Sequence, residues 1–357
     1  MKLNFLKTSR FLLKSALLLS LSLSVSNCTK ENVTENKDLP ITTSKDVYVG
    51  GYIINGTFKW VATLWKNGVA SSLSDGTGYA EILDISVIDN DVYAVGYDQT
   101  STSPKKIAKL WKNGVAVNLS DGLNDEQAKA ITVVGNDVYI VGTQYNSTTN
   151  TGVAKIWKNG FATNLGASSS SAFRDFPTSV TVSGSNVYVS GYKRNGTESY
   201  AKYWKNGVEV NLTNGITNAT ANDVLVLNND IYAVGRISFN AKCWKNNVLT
   251  SNLIVEANCY EAKKIVTDGS DIYILGDKVS NSVNQIRLWK NGTEIIFPNI
   301  PNSIGPSDLA ISGGDHYVCG TRQGNSKSYA IYYKNQVKVE LVNDAVISSV
   351  AATIFVK

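Results

Sequence analysis

The chain has 357 residues and a formal charge of +5, from 34 Lys plus Arg against 29 Asp plus Glu. Its one histidine, His316, excludes any multi-histidine metal site, including the HExxH zinc pattern. It also leaves a Ser/His/Asp or Cys/His triad only one candidate base.

Residues 1–27 carry Lys2, Lys7, Arg10 and Lys14 and no acid. Residues 16–25 (ALLLSLSLSV) form an apolar core, shorter than a membrane span of about 20 residues. The segment reads as a signal peptide. Without it, 30 basic residues face 29 acidic ones, a net +1. The basicity therefore belongs to the export signal and gives no support to a nucleic-acid partner.

The apolar core ends in Val25-Ser26-Asn27-Cys28. This resembles a bacterial lipoprotein signal, with Cys28 as the lipid-modified first residue of the mature chain. Asn27 departs from the small residue found there in enterobacteria and fits the relaxed form known from Bacteroidetes and spirochaetes. The resemblance implies a bacterial cell-envelope protein, held to the outer membrane by its lipid. Residues 28–39 are polar, charged and free of aromatics, so they read as a flexible tether. Lys30-Glu31 resembles the charged surface-export signal of Bacteroidetes lipoproteins, which implies a surface-exposed protein. No later segment is apolar enough to cross a bilayer.

The rest of the chain repeats. Trp-Lys-Asn-Gly begins at Trp65, Trp111, Trp157, Trp204 and Trp289; Trp244-Lys245-Asn246-Asn247 and Tyr333-Lys334-Asn335-Gln336 are variants. The spacings are 46, 46, 47, 40, 45 and 44 residues, which establishes one period. An Asp-Val-Tyr motif keeps the same period, with tyrosines 48, 93, 139, 188, 232, 273 and 317. A glycine follows each tyrosine by three positions, from Gly51 to Gly320.

Residues 131–165 serve as the model unit. A first strand at 131–134 leads through a turn, Gly135-Asn136-Asp137, into a second at 138–142. A polar loop at 144–151 precedes a third strand at 154–157, a turn at Asn159-Gly160 and a fourth strand at 161–165. Asn-Gly is the strongest short hairpin signal, because a type I′ turn needs positive φ at both central residues. Asn247 tolerates that conformation, whereas Gln336 predicts a looser seventh turn. Four strands in about 45 residues is the arithmetic of a β-propeller blade.

The first repeat begins at Asp46 with little strand material before it. The C-terminus, residues 344–357, aligns with the start of a repeat, Ile347 on Ile131 and Phe355 on Tyr139, and offers the missing innermost strand. The predicted fold is thus all-β: a seven-bladed β-propeller of four-stranded blades over residues 40–357, one domain, its ring closed by the C-terminal strand.

The unit also resembles the HAF-type extracellular repeat of bacteria. The matching residues are Ala108-Lys109-Leu110-Trp111-Lys112-Asn113-Gly114, Leu119, Ala130-Ile131 and Val141-Gly142. Asp137-Val138-Tyr139 replaces the family's Gly-rich turn, and its leading histidine is missing. The resemblance covers nearly the whole mature chain. It implies a secreted, propeller-like array and no reaction.

Most repeated residues read as structural. Each Trp suits the wedge between blades, with a sugar-stacking platform as the alternative. The Asp of Asp-Val-Tyr suits hydrogen bonds to local backbone. Asn186 interrupts that series, which argues against a ring of metal-binding carboxylates, and no cofactor motif is present.

Counting back nine from each tyrosine gives Asp84, Ala130, Ser179, Asp223, Lys264 and Asp308, expected around the channel mouth. Lys129 and Lys263 add charge beside them. These residues are candidate ligands for a polar molecule; a carboxylate pair among them is the alternative, as a glycoside hydrolase or lyase. Loops between the second and third strands share that face with the blade-to-blade loops. They vary: Gly96 to Trp111 is 15 residues but Gly235 to Trp244 is 9. A serine-rich loop at 167–177 presents Phe173, Arg174 and Phe176 as a candidate contact patch.

His316 replaces Val on the opposite, turn-rich side and reads as a tolerated substitution. Cys243, Cys259 and Cys319 remain after lipidation, so at most one disulfide forms, with Cys243–Cys259 as the conceivable pair. The expected function is a non-catalytic, monomeric binding module for glycan or protein, such as host or matrix adhesion. A channel-carboxylate enzyme and a scaffold subunit of an envelope complex are the alternatives.

Overall fold

The structure is a computed structural model. It describes residues 45–357 except 101–103, 147, 150, 167–172, 216, 255–258, 281–282, 298–303 and 342–346. The export signal, the tether, Cys28 and the serine run of the 167–177 loop lie outside the described residues. No described helix is long and apolar enough to cross a membrane.

Each Trp-Lys-Asn motif closes one antiparallel four-stranded unit. The Trp65 unit holds β1 (Val47–Ile54), β2 (Trp60–Lys66) and β3 (Val69–Ser72). The Trp111 unit follows as β4 (Tyr79–Ile88), β5 (Asp91–Gln99), β6 (Ile107–Lys112) and β7 (Val115–Asn118). Next come β8 (Asp125–Val134), β9 (Asp137–Asn146), β10 (Thr151–Lys158) and β11 (Phe161–Asn164) around Trp157. The Trp204 unit is β12 (Phe173–Ser183), β13 (Asn186–Asn195), β14 (Glu198–Lys205) and β15 (Val208–Asn211). Around Trp244 lie β16 (Ala219–Leu227), β17 (Asp230–Ile237), β18 (Asn240–Lys245) and β19 (Val248–Thr250). Around Trp289 lie β20 (Glu261–Asp268), β21 (Asp271–Ser280), β22 (Val283–Lys290) and β23 (Thr293–Ile295). The Tyr333 unit is β24 (Ile304–Ser312), β25 (Asp315–Gln323), β26 (Ser328–Lys334) and β27 (Val337–Glu340), and β28 (Ser348–Val356) ends the chain.

β28 pairs with β1 and supplies the Trp65 unit's first strand, as the sequence predicts. Its register differs from the predicted one. Ile354, not Ile347, occupies the place of Ile131: both donate their N–H to an aspartate of the preceding unit. The shift is seven residues, because β28 is a first strand only and Phe355 has no second strand to occupy.

The first strands also begin earlier than expected. β8 starts at Asp125, and β9 and β10 extend almost to the tip of their hairpin, leaving little of the polar loop. The Asn-Gly turns have the predicted geometry, with φ of 51° at Asn113 and 83° at Gly114. Gln336 adopts φ 72° and its hairpin closes at Lys334–Val337 like the others, so the seventh turn is not looser.

The Asp of Asp-Val-Tyr does not serve local backbone. Asp91 accepts from Asn113 Nδ2 at 2.8 Å and pairs with Lys112 at 2.8 Å; Asp137 does the same with Asn159 and Lys158. The two repeated motifs therefore clip the third-to-fourth hairpin onto the start of the second strand. The Lys pairs are solvent-exposed and add little; the amide side chain carries the geometry.

Each Trp is buried, 0–1% exposed from Trp65 to Trp289, and packs on the preceding unit. Trp157 sits against Tyr93, Val95 and Ala108, and its Nε1 donates to Leu119 O at 3.1 Å. Trp65 has no preceding unit in the sequence and packs on Tyr317, Cys319 and Ala330 of the Tyr333 unit. The glycine after each tyrosine meets the bulged first strand closely. A Cβ at Gly96 would lie 1.9 Å from Glu81 O, and one at Gly142 would lie 2.0 Å from Gln127 O.

Cys243, Cys259 and Cys319 are all buried and none is in a disulfide, so the conceivable Cys243–Cys259 bridge is not formed. Both thiols sit in one apolar cluster as small hydrophobes.

Candidate functional site

The first strand of every unit carries a β-bulge. In β4 the register shifts between Ile82 and Asp84, and in β16 between Ala221 and Asp223. A bulge re-aims side chains. Here the bulge residues Leu83, Lys129, Thr178, Asn222, Lys263, Ser307 and Ala352 line one pocket of about 300 Å³. The residues just after them, Asp84, Ala130, Ser179, Asp223, Lys264 and Asp308, line its floor. These six are the ones reached by counting back nine from each tyrosine. A second cavity of about 360 Å³ shares Asp84, Ser179, Asp223, Lys264 and Asp308 and continues along the same strands.

The floor is a hydrogen-bonded waist. Asp84 Oδ1 accepts from Ile85 N at 2.9 Å, and its Oδ2 accepts from Ile131 N of the next unit at 2.8 Å. Asp223 repeats this with Val224 N at 3.0 Å and Ile265 N at 2.9 Å. Asp308 repeats it with Leu309 N at 2.8 Å and Ile354 N at 3.0 Å. Each aspartate thus staples its own first strand to that of the following unit. Ser179 donates to Asp223. Thr178 and Asn222 reinforce the seams by donating to Ala221 O at 2.7 Å and Ala262 O at 2.8 Å.

Sequence reasoning missed Thr353, the β28 member of this waist, because β28 has no tyrosine to count from. Its hydroxyl lies 3.1 Å from Asp84 Oδ1 and 2.9 Å from Asp308 Oδ2. The one hydroxyl proton can point fully at only one of the two carboxylates. Burial pushes the Asp84 carboxyl up, against Lys264 and with Asp308, to about 6. Burial likewise raises Asp223, partly offset by Lys264. Burial alone would lower Lys264, but Asp223, Asp308 and Asp84 outweigh it and hold the ammonium charged. It sits 3.4 Å from Asp308 and 3.9 Å from Asp223.

On the pocket wall, Lys263 pairs with Glu261 at 3.3 Å and Asp277 at 3.4 Å. Lys129 lines the same wall. The structure therefore brings together Asp84, Asp223, Asp308, Lys129, Lys263 and Lys264. It does not bring Phe173, Arg174 and Phe176 to them, nor leave these three in a loop. They belong to β12, which runs from Phe173 and pairs with β13. Phe176 stacks on Tyr192 with centroids 5.0 Å apart, Arg174 lies over Tyr145 and Lys193 over Phe173. Strand pairing and ring stacking hold these side chains against the sheet, though Phe176 still lines a separate pocket of about 260 Å³. His316 is at the start of β25 and lines neither waist cavity; burial lowers its pKa, and its backbone N–H donates to Asn335 Oδ1 at 2.9 Å.

No family model and no curated protein matches the chain. Solved structures do. A prolyl endopeptidase, from a study of two such enzymes and their inter-domain dynamics, superposes with a TM-score of 0.51 at 11% identity, over 83% of this chain and 49% of that one. Pyrococcus horikoshii acylaminoacyl peptidase gives 0.51 at 12% identity, over 85% and 51%. Prolyl oligopeptidase B from Galerina marginata gives 0.50 at 9% identity, over 84% and 51%. The chain spans about half the length of these neighbours. At such identity the likeness defines the architecture alone: an all-β, propeller-like fold of repeated four-stranded sheets.

Proposed function

We propose that the units form a closed seven-bladed β-propeller that acts as a non-catalytic binding module for glycan or protein, exported and lipid-anchored through Cys28. Closure is supported by the β28–β1 pairing and by Trp65, which packs on the last unit as every other Trp packs on the one before it. The observation that carries the binding reading is the state of the waist carboxylates. Both oxygens of Asp84, Asp223 and Asp308 already accept backbone N–H groups. Groups committed to holding strands together are poor nucleophiles and poor general bases. A ligand entering the pocket meets Lys129, Lys263 and Glu261 on a rigid frame.

Glycan and matrix-protein arrays probed with the purified full-length chain test this reading. The expected result is a bound species whose signal drops for Lys129→Ala or Lys263→Ala. An array with no bound species overturns it. The anchor is tested separately: Cys28→Ala is expected to leave the membrane fraction, and retention there would refute lipidation.

One observation favours the hydrolase alternative. The two contacts of Thr353, 3.1 and 2.9 Å, place Asp84 Oδ1 and Asp308 Oδ2 at most 6.0 Å apart. Retaining glycosidases space their carboxyls about 5–5.5 Å apart. Release of reducing ends from a polysaccharide panel, lost in Asp308→Asn, would favour that reading over binding.

A further inference from the structure

A further pocket, about 370 Å³, opens between the Trp204 and Trp244 units and is separate from the waist. We propose that it binds a carboxylated sugar residue, a hexuronate unit of an acidic glycan. The proposal is independent of what the waist pocket takes.

Three features specify the ligand. First, Arg194 and Arg236 both line the pocket, and among the described residues no carboxylate does. Glu261 lies behind Arg236, 3.6 Å from its Nε, and Arg236 Nη1 donates to Tyr260 OH at 3.0 Å. Among the described residues Glu261 therefore offsets one of the two cations, and Arg194, which is exposed, leaves a net positive charge. A guanidinium presents a planar fork that matches a carboxylate.

Second, aromatic faces flank the cations. Tyr192, Tyr260 and Phe239 line the pocket. Phe239 is 67% exposed at the tip of the β17–β18 turn, and its ring lies 5.4 Å from that of Tyr260. That turn is held by Ser238, at φ 53°. The turn thus presents an apolar ring at the pocket, beside that of Tyr260. Flat apolar rings beside hydroxyls suit the mixed apolar and polar faces of a sugar.

Third, one polar group inside the pocket lacks a partner. Thr220 is 7% exposed, lines the pocket and pairs across the sheet with Arg236. Its buried Oγ1 makes no hydrogen bond. Buried hydroxyls are normally satisfied; rotation of this side chain toward the pocket would let it meet a sugar hydroxyl next to a carboxylate held by the arginines. The volume falls in the range of about 300–1,000 Å³ typical of small-molecule sites.

The test is calorimetric titration of the purified full-length chain with oligogalacturonate and oligoglucuronate, their neutral counterparts and inorganic sulfate. At least one acidic oligosaccharide is expected to bind, and its neutral counterpart about tenfold or more weaker. Arg194→Gln and Thr220→Val are each expected to weaken the acid severalfold while near-UV circular dichroism stays unchanged. The proposal is overturned if neither acid binds up to about 10 mM, if neutral and acidic sugars bind alike, or if Arg194→Gln leaves affinity unchanged. Sulfate binding as tightly as the uronate would show a plain anion site and overturn the sugar assignment.

Discussion

Asn113 holds Val92 and Asp91 at once. Its Nδ2 donates to Asp91 Oδ1 at 2.8 Å, its Oδ1 accepts the Val92 N–H at 2.8 Å, and its own N–H donates to Val92 O at 2.8 Å. A turn residue at the end of the third strand is thereby locked to the first residues of the second. The same arrangement recurs at Asn159 with Asp137 and Val138.

Asn113→Ala removes two of these bonds and places a Cβ-bearing residue without Asn's tolerance at φ 51°. It should lower stability by about 1–3 kcal/mol, read from the urea midpoint. Lys112→Ala removes only a solvent-exposed ion pair and should shift the midpoint far less. Equal losses would show that the salt bridge, not the amide clip, holds the hairpin.

The waist predicts an acid-side gain in stability. An Asp84 carboxyl raised to about 6 keeps its proton in the folded state after the unfolded chain has lost it. Between about pH 4 and 6 the native state then binds more protons, so this group's contribution falls as pH rises through that window. Asp84→Asn should flatten the fall in denaturation curves taken across it. The exposed Asp91 and Asp137, lowered by Lys and Asn partners, act in the opposite sense and lose their contribution as pH drops below about 4.

Trp157→Ala should cost about 3–5 kcal/mol, since the ring is 0% exposed and wedges between units. Val115→Ala, 68% exposed on the outermost strand, should stay within about 0.5 kcal/mol. A Trp157 variant as mild as the Val115 one would show that the units do not depend on each other through the wedge.

Lys202 is fully buried, contacting Asp175 and lying 2.9 Å from Glu209. Lys202→Met leaves the buried Asp175 without its cation and should cost about 3–5 kcal/mol. Lys202→Met combined with Asp175→Leu should recover most of it, because no buried charge then lacks a partner. Thermal unfolding of the single and double variants checks this.

Much of the architecture was legible in the residues themselves. The Trp-Lys-Asn-Gly period, the Asn-Gly hairpins and the need of β1 for a C-terminal partner all follow from turn chemistry between near neighbours. Counting back from Tyr93 or Tyr232 reached Asp84 and Asp223, since pairing within one hairpin keeps a constant register. What tertiary structure alone decided depends on groups one repeat apart in the sequence or at opposite ends of it. Asp84 stapling Ile131, Thr353 bridging two units, and β28 taking its seven-residue-shifted register arise where one unit meets the next. The bulges at Leu83 and Asn222 turn those side chains toward the pocket, and no local pattern marks a bulge. β12 likewise absorbed Phe173 and Phe176, because pairing with β13 and stacking on Tyr192 outweigh the loop-like composition of the stretch before them. Period and turn type are written in adjacent residues; the site is written in hydrogen bonds that form only when successive units pack.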